Sequence, residues 1–250
     1  MIWQVVPLSR MQCARDVVRC FNDQTYAHKR LCLVVNGCGA PADVEEQFQQ
    51  WGVAPDLLLH SPTHPKLGKP WALNKAMDVL RGELIALRDD DDVQGPEDLS
   101  EAVAAYQSTG ATIVSKHPHR VLVDDQLWLF AESLANQWAK RGDEFDARVS
   151  GSNVLFLNQD VPKFPEVPSG EVRHWAKAMI DQGASVWRTS VDNYTWVRGR
   201  HAHRWQATLA SIRDEYGRRM PAKRYLADGS FEMVNPPTTE EILADFGNWK

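Results

Sequence analysis

Roughly the first 115 residues alternate between short apolar runs and longer stretches in which apolar residues recur at helical spacing. The apolar runs have the length of buried strands and lie at residues 2–6, 31–35, 56–60 and 84–87. The helical stretches lie at about residues 11–24, 42–51, 70–80 and 96–107. This alternation predicts an α/β fold with a mostly parallel central sheet and helices on both faces. The first strand is expected to stop at Pro7, and Pro70 suits the first turn of the third helix.

The pattern of the second half is less regular. Further strands are predicted at residues 112–116, 120–123, 126–130, 152–157 and 185–189. A polar helix is predicted at about residues 132–141, and an irregular connection contains Pro162, Pro165 and Pro168. Another helix is predicted at residues 171–182. The last 45 residues are expected to hold a helix around 207–218 and another that begins near Thr238, where capping residues occur.

Composition limits the class of protein. The chain has 250 residues, of which 43% are hydrophobic and 24% charged, values ordinary for a globular protein. The net charge of −5 argues against nucleic-acid binding driven by bulk positive charge. All four cysteines lie in the first 38 residues without a CxxC pair, which favours buried free thiols of a cytoplasmic protein over disulfides or zinc. Neither a signal-peptide pattern nor an apolar run of about 18 residues occurs, so no transmembrane segment is expected.

Four consecutive aspartates, Asp89 to Asp92, directly follow the strand at residues 84–87. In open α/β sheets ligands bind at the carboxyl ends of strands, so the aspartates predict a site for a metal ion and a diphosphate. In an extended loop, residues two apart point the same way, which places Asp89 and Asp91 together. The alternative is a solvated acidic loop that binds no ligand.

Two other motifs compete for the same aspartates. A calcium-binding EF-hand loop fails, because Val93 and Gln94 occupy its fifth and sixth positions. The pattern Asp-x-Asp-x-Val also matches the nucleophile motif of haloacid-dehalogenase-like phosphatases. In that fold the motif normally follows the first strand and not the fourth, so this alternative is the weaker one.

Four motifs succeed one another along the first half of the chain. They are Val5-Val6-Pro7 with Gln24-Thr25-Tyr26, then Leu33-Val34-Val35-Asn36-Gly37, then Gly68 and Asn74 at a helix start, and finally GELIALRDDDD at residues 82–92. In this order they resemble the family 2 glycosyltransferases, which have the GT-A fold. The resemblance covers about residues 2–116 well and is thin beyond them.

The resemblance implies a domain organisation and a function. A GT-A catalytic domain would span residues 1–205, with a nucleotide-sugar-binding half at 1–116 and an acceptor half at 117–205, and a C-terminal helical extension would span 206–250. The enzyme would move a sugar, with inversion, from a UDP-linked or other nucleotide-sugar donor, using Mn²⁺ or Mg²⁺. The acceptor hydroxyl, on a glycan, lipid, protein or modified nucleic acid, stays open. Alternatives are a sugar nucleotidyltransferase and a non-catalytic nucleotide-sugar-binding protein.

The family pattern also implies ligands for the metal. The aspartates at residues 89–92 contain the DxD pair, in which Asp91 is the best metal ligand and Asp89 lies near the ribose or the metal. Asp90 would face away from the metal within the donor site, and Asp92 would reach the site or orient its neighbours. GT-A enzymes often place a late histidine on the metal, which makes His201 and His203 candidates.

Further residues are assigned to the donor by the same resemblance. They are Pro7, Ser9, Arg10, Asn36, Lys69 and Asn74, together with Asp89 and Asp90. The family usually has Asp where this chain has Asn36, and its opening loop usually reads Thr-Tyr-Asn, whereas this chain has Leu8-Ser9-Arg10. Lys66 and Arg88 are additional candidates for contact with phosphate.

An inverting transfer needs a general base that takes the proton from the acceptor hydroxyl. In the family this base is an acidic residue at the start of a late helix, often within Gly-Glu-Asp. The corresponding residues here are Gly170, Glu171 and Val172, so Glu171 is the candidate base and Asp192 the reserve. Three tryptophans are candidates either for stacking on sugars or for core packing: Trp71, Trp175 and Trp196.

Overall fold

The computed structural model of the chain describes residues 1–61, 68–116, 119–123, 126–130, 135–139, 149–190, 192–197, 222–225 and 231–234. Within these ranges the strands are β1 (Ile2–Leu8), β2 (Lys29–Asn36), β3 (Leu57–Ser61), β4 (Leu84–Leu87), β5 (Val93–Gln94), β6 (Ile113–Ser115), β7 (His119–Val123), β8 (Gln126–Phe130), β9 (Gln137–Trp138), β10 (Val154–Leu157), β11 (Val186–Arg188), β12 (Tyr194–Val197), β13 (Ala222–Tyr225) and β14 (Phe231–Val234). The helices are α1 (Ala14–Asp23, after a 3₁₀ turn at Met11–Cys13), α2 (Pro41–Trp51), α3 (Gly68–Val79), α4 (Asp98–Thr109) and α5 (Glu171–Asp181).

The strands form two sheets. The central sheet has the order β3-β2-β1-β4-β10-β6-β11-β9. Its first four strands are mutually parallel, β11 is parallel to β6, and β10 runs antiparallel between β4 and β6. The second sheet has the order β14-β13-β8-β7-β12-β5 and is mainly antiparallel. The mostly parallel central sheet predicted from the sequence is therefore confirmed.

Apolar residues on both faces of the central sheet account for the helices on either side. One face carries Val5, Cys32 and Ile85, which pack against buried residues of α3 and α5. The opposite face packs against α1 and α2 through residues such as Val6, and against α4 through residues such as Ala86. All four cysteines are free thiols; Cys13, Cys20 and Cys32 are buried, as predicted, whereas Cys38 is only partly buried. Among the described helices, none combines the length and apolar character needed to cross a membrane.

The first strand continues through Pro7 to Leu8, two residues beyond the predicted end. Val5 is the last residue of β1 that pairs with β4, opposite Leu87, and its carbonyl accepts the Arg88 N–H at 3.0 Å. Successive residues of a strand direct their N–H groups to opposite neighbours, so Pro7, two residues after Val5, faces the same side as Val5. Its missing N–H lies beyond the end of β4 and interrupts no ladder.

The predicted polar helix at residues 132–141 is wrong where the chain is described. Residues 137–138 form β9, in which Trp138 pairs with Trp187 of β11. Asn136 has a φ of 52°, outside the right-handed helical region. The pairing with the sheet edge therefore overrides the local polar pattern.

The C-terminal region contains strands that the sequence pattern does not predict. Strands β13 and β14 pair antiparallel, and β13 also pairs with β8 in the second sheet. The two helices predicted around 207–218 and from Thr238 lie outside the described residues. The division of the chain at residue 205 stays a prediction.

The proline-rich connection before α5 is held by side chains from two helices. Asn74 of α3 donates through Nδ2 to the Phe164 carbonyl at 2.9 Å and accepts the Phe164 N–H at 2.8 Å. Phe164 stacks on Trp175 of α5, with ring centroids 5.0 Å apart. The Trp175 indole donates to the Pro162 carbonyl at 3.0 Å. This chain of contacts fixes α5 against α3.

Replacement of Asn74 by alanine is expected to lower the free energy of unfolding by about 2 kcal/mol, because both polar groups of the buried Phe164 backbone lose their partner. Chemical denaturation measures this change. Asn22→Ala, at an exposed position of α1, is the matched control and should change stability by less than about 0.5 kcal/mol. Equal, small effects of both substitutions would contradict the proposed tie between α3 and α5.

Candidate active site

The ends of three adjacent parallel strands bring the predicted site residues to one edge of the central sheet. Leu8 at the end of β1 pairs with Val35 of β2, and Val5 pairs with Leu87 at the end of β4. The loops after β1 and β2 begin with Ser9 and Gly37, and the loop after β4 begins with Arg88, followed by the aspartates at 89–92. This edge is where ligands bind in open parallel sheets.

Three of the four aspartates converge. Asp89, Asp91 and Asp92 each place one carboxylate oxygen so that all three lie within 4.8 Å of one another. Asp92 is buried, and Asp89 and Asp91 are partly buried. At an effective dielectric constant of about 20, two full charges at that distance repel by roughly 3 kcal/mol. Such crowding of like charges requires cations or hydrogen-bond donors around the cluster.

Hydrogen bonds from β12 orient Asp92. The Tyr194 hydroxyl donates to Asp92 Oδ2 at 2.6 Å, and the Val197 N–H donates to Oδ1 at 3.2 Å. Burial, together with the negative charge of Asp92, raises the pKa of Tyr194 well above its usual value, so the phenol stays a donor. These bonds connect the acidic loop to the second sheet, which the sequence alone does not reveal.

The loop after β1 holds the second and third aspartates. Asp90 accepts the N–H groups of Ser9 and Arg10 at 2.9 and 3.2 Å, and it pairs with the Arg10 guanidinium. The same guanidinium nitrogen lies 2.9 Å from Asp91 Oδ2. Asp90 thus turns toward the β1 loop and is not one of the three converging carboxylates, while Arg10 touches both residues.

Lys69 joins the acid cluster to the candidate base. Its ammonium lies 2.7 Å from Asp89 Oδ1 and 3.1 Å from Glu171 Oε1. Glu171 is the first residue of α5, follows Gly170 at φ 74°, and is 6% exposed. Lys69 therefore brings residues 82 positions apart (89 and 171) to one point.

Burial and neighbouring charges shift the pKa values of Asp89 and Lys69. Burial raises the pKa of Asp89 to about 7; Lys69 opposes this shift, whereas Asp92 and Asp91 add to it. Burial alone would lower the pKa of Lys69, but the carboxylates of Asp89 and Glu171 raise it above its usual value. Asp89 is therefore the carboxylate of this cluster whose charged form is least favoured by burial and by its acidic neighbours.

The three converging carboxylate oxygens fit the ligand preference of a hard divalent metal. Carboxylate oxygens are the ligands that Mg²⁺ and Mn²⁺ prefer, and the three converging oxygens come from Asp89, Asp91 and Asp92. The raised pKa of Asp89 means that its charged form is disfavoured, and a cation bound nearby would stabilise that charged form. His201 and His203, the other predicted metal ligands, lie outside the described residues, as does Lys66.

A buried hydrogen-bond network holds Arg88, the residue that precedes the four aspartates. Arg88 Nε donates to Asp98 Oδ2 at 2.7 Å, and both side chains are fully buried. Asn153 donates to the other oxygen of Asp98 at 3.1 Å. This network ties the end of β4 to α4 and to the residue before β10. Helix α4 begins at Asp98, two residues after the predicted start at Pro96. Arg88 is therefore an interior cation and not an exposed phosphate contact.

Asn36 lies at the end of β2, against the start of α3. A Cβ at Gly68 would lie 2.1 Å from Asn36 Nδ2, so only glycine allows this side chain its position. Asn74, further along the same helix, uses its amide on the Phe164 backbone. The roles of Pro7, Asn36 and Asn74 in donor binding stay predictions.

The reserve base lies in a different environment. Asp192 is exposed, and its carboxylate pairs with Arg120. Its carbonyl accepts the ammonium of the buried Lys116 at 2.7 Å, and Lys116 also pairs with Glu101. These contacts give Asp192 a role in the turn before β12. Trp175 and Trp196 are buried, which favours core packing over sugar stacking.

Fold and site together define an α/β protein with three converging carboxylates, a group that could hold a metal ion, at the carboxyl edge of a mostly parallel sheet. The model of glycosyl transferase family 2 matches residues 12–159 of the 250, and the chain belongs to this family. The family and the GT-A fold predicted from the sequence motifs are confirmed, and membership of this family supports the predicted class of enzyme. A search of curated proteins finds no match.

Solved structures share the fold at low sequence identity. The mannosyltransferase PcManGT from Pyrobaculum calidifontis, in complex with GDP-Man and Mn²⁺, matches with a TM-score of 0.57 and 17% identity, over 85% of this chain and 59% of that one. TarS 1–349 from S. aureus, in complex with UDP-GlcNAc, matches with a TM-score of 0.57 and 16% identity, over 83% and 61%. The chain thus spans about 60% of the length of these two structures.

Proposed function

We propose that the protein transfers a sugar from a nucleotide-sugar donor to an acceptor hydroxyl, in a metal-dependent reaction with inversion at the anomeric carbon. A UDP-linked donor is the first expectation. A GDP-linked donor is the second, because PcManGT was solved with GDP-Man and TarS with UDP-GlcNAc. The acceptor belongs to one of the four classes considered above.

One observation carries the proposal. Lys69 contacts both Asp89 and Glu171, so a candidate base and a candidate metal ligand lie within the reach of one ammonium group. A transfer reaction needs these two functions next to each other, since the acceptor oxygen attacks the carbon that the diphosphate leaves. A solvated acidic loop would need neither a buried glutamate nor a bridging lysine.

Each residue of the site has its own role in the proposed reaction. Glu171 takes the proton of the acceptor hydroxyl while the acceptor oxygen bonds to the anomeric carbon and the bond from that carbon to the diphosphate breaks. Lys69 orients the Glu171 carboxylate, and Tyr194 holds Asp92 in place. A divalent cation held by Asp89, Asp91 and Asp92 would neutralise the charge that develops on the leaving diphosphate. Val172 is buried in the core, so Glu171 is the acidic residue that this helix start supplies to the site.

The donor is found by measuring nucleotide release. The purified protein is incubated with a panel of UDP- and GDP-linked sugars, with Mn²⁺, with Mg²⁺ or with EDTA. We expect slow release of nucleoside diphosphate from one donor, with water as acceptor, and loss of that release in EDTA.

The other results separate the alternatives. Formation of an activated sugar from a sugar phosphate and a nucleoside triphosphate would identify a nucleotidyltransferase. Donor binding in calorimetry, without turnover in the presence of candidate acceptors, would indicate a non-catalytic binding protein. Absence of binding by every donor would contradict the proposal.

We include a cytoplasmic location in the proposal. The four cysteines are free thiols, and burial raises the pKa of Cys32 to about 12, which makes it unreactive. Free thiols in this number are usual in reducing compartments.

A further inference from the structure

Two carboxylates of the proposed metal site are already paired with cations of the protein itself. Lys69 Nζ lies 2.7 Å from Asp89 Oδ1, and Arg10 Nη2 lies 2.9 Å from Asp91 Oδ2. The third carboxylate, Asp92, accepts hydrogen bonds from a phenol and a backbone N–H. The two cations therefore lie where a divalent metal would need to approach.

These ion pairs are partly shielded from water. The Arg10 and Asp91 side chains are 19% and 6% exposed, and those of Lys69 and Asp89 are 30% and 25% exposed. Ion pairs on an open surface contribute little, but pairs at this depth interact through a lower effective dielectric. A metal ion that binds the same carboxylate oxygens must displace Lys69 and Arg10 or share these oxygens with them.

We infer that Lys69 and Arg10 are internal counter-cations, which compete with the divalent metal for Asp89 and Asp91 and keep the affinity of the free protein for the metal low. This inference rests on the metal site of the proposed function. It predicts an order of events, in which the metal binds well only together with a nucleotide diphosphate. The diphosphate brings negative charge that offers new partners to the displaced ammonium and guanidinium groups.

A structural role and a counter-cation role of Lys69 and Arg10 predict opposite changes in metal affinity when these residues are replaced. If Lys69 and Arg10 only held the loop in shape, their removal would loosen the carboxylates and weaken metal binding. If they are counter-cations, their removal leaves the carboxylates with more uncompensated charge and strengthens the binding of metal alone. Without these cations, metal alone already binds more tightly and the diphosphate loses a cationic partner. The same removal should therefore reduce the effect of UDP or GDP on Mn²⁺ affinity and, because coupling is reciprocal, the effect of Mn²⁺ on nucleotide affinity.

The test is calorimetric titration of the full chain with Mn²⁺, first alone and then with saturating UDP or GDP. Lys69→Gln is the primary variant, because Arg10 also contacts Asp90; Arg10→Gln is the second. We expect Lys69→Gln to bind Mn²⁺ alone about tenfold more tightly than the parent chain. Lys177→Gln removes an exposed ion pair with Asp181 on α5 and should leave Mn²⁺ affinity unchanged.

Thermal unfolding of each variant establishes that it folds, and the rise in melting temperature with added Mn²⁺ gives a second measure of affinity. Equal or weaker binding of Mn²⁺ alone by the folded Lys69→Gln variant would overturn the inference. If that variant and the parent chain still bind Mn²⁺ with nucleotide, the proposed function stands without it. If no variant binds Mn²⁺ with or without nucleotide, the metal-dependent function fails as well.

Discussion

Replacement of Asp91 by alanine is expected to reduce metal-dependent nucleotide release by at least about 1,000-fold. Asp91 is one of three converging carboxylates, and its loss would remove one of the three proposed ligands of the metal. Stabilisation of a leaving diphosphate by a metal is worth several kcal/mol of transition-state energy, and each 1.4 kcal/mol corresponds to a factor of ten in rate. The measurement is the rate of nucleotide release at saturating donor, across a range of Mn²⁺ concentrations.

A loss of activity through unfolding can be distinguished from a loss of metal. Arg10 keeps its contacts with Asp90 when Asp91 is removed, and the repulsion within the acid cluster decreases. We therefore expect the Asp91→Ala variant to unfold at the same temperature as the parent chain or at a higher one. Asp181→Ala, at an exposed position of α5, is the control and should retain full activity. Metal-dependent release that survives in Asp91→Ala would exclude Asp91 as a ligand.

The first half of the fold follows from local pattern. The strand at residues 84–87 is apolar, short and bounded by polar residues, and β4 has these bounds. Its carboxyl end coincides with the start of the acidic run, so the edge of the sheet that carries the site can be predicted without knowledge of any contact. Parallel neighbours then bring the ends of β1 and β2 to the same edge.

Predictions fail where a distant partner decides the local structure. Residues 137–138 lie in a polar stretch, but they form a strand because β11 offers an edge for pairing. Pro7 signals the end of a strand, but β1 continues because β4 stops opposite Val5. In both cases the deciding partner lies many positions away and has no signature in the local sequence.

In the candidate site, too, residue types can be predicted from the sequence, whereas contacts that depend on tertiary packing cannot. The residue types at Asp89, Asp91 and Glu171 point to metal and base chemistry, and the family motif suggests which positions matter. The contact of Lys69 with both Asp89 and Glu171 depends on how α3 and α5 pack, which no spacing in the sequence encodes. The local sequence does not indicate a role for Tyr194 either, because its hydrogen bond to Asp92 joins the two sheets.

Replacement of Glu171 by glutamine is expected to lower the rate of nucleotide release by about 100- to 10,000-fold, the usual contribution of a general base. The amide keeps the shape of the side chain and an oxygen that accepts from Lys69, so packing at the start of α5 should be retained. Because the amide cannot take a proton at neutral pH, proton removal from the acceptor or from water is lost. Single-turnover rates of the parent chain and the variant measure the effect, and UDP or GDP affinity should change by less than about threefold.

Asp192→Asn is the paired variant that identifies the base. Asp192 is exposed and bound to Arg120, whereas Glu171 is buried and shares Lys69 with the acid cluster. We therefore expect Asp192→Asn to retain most of the activity. A large loss in Asp192→Asn with full activity in Glu171→Gln would assign the base to Asp192. The bridge through Lys69 would then orient the donor-binding carboxylates and take no part in proton transfer.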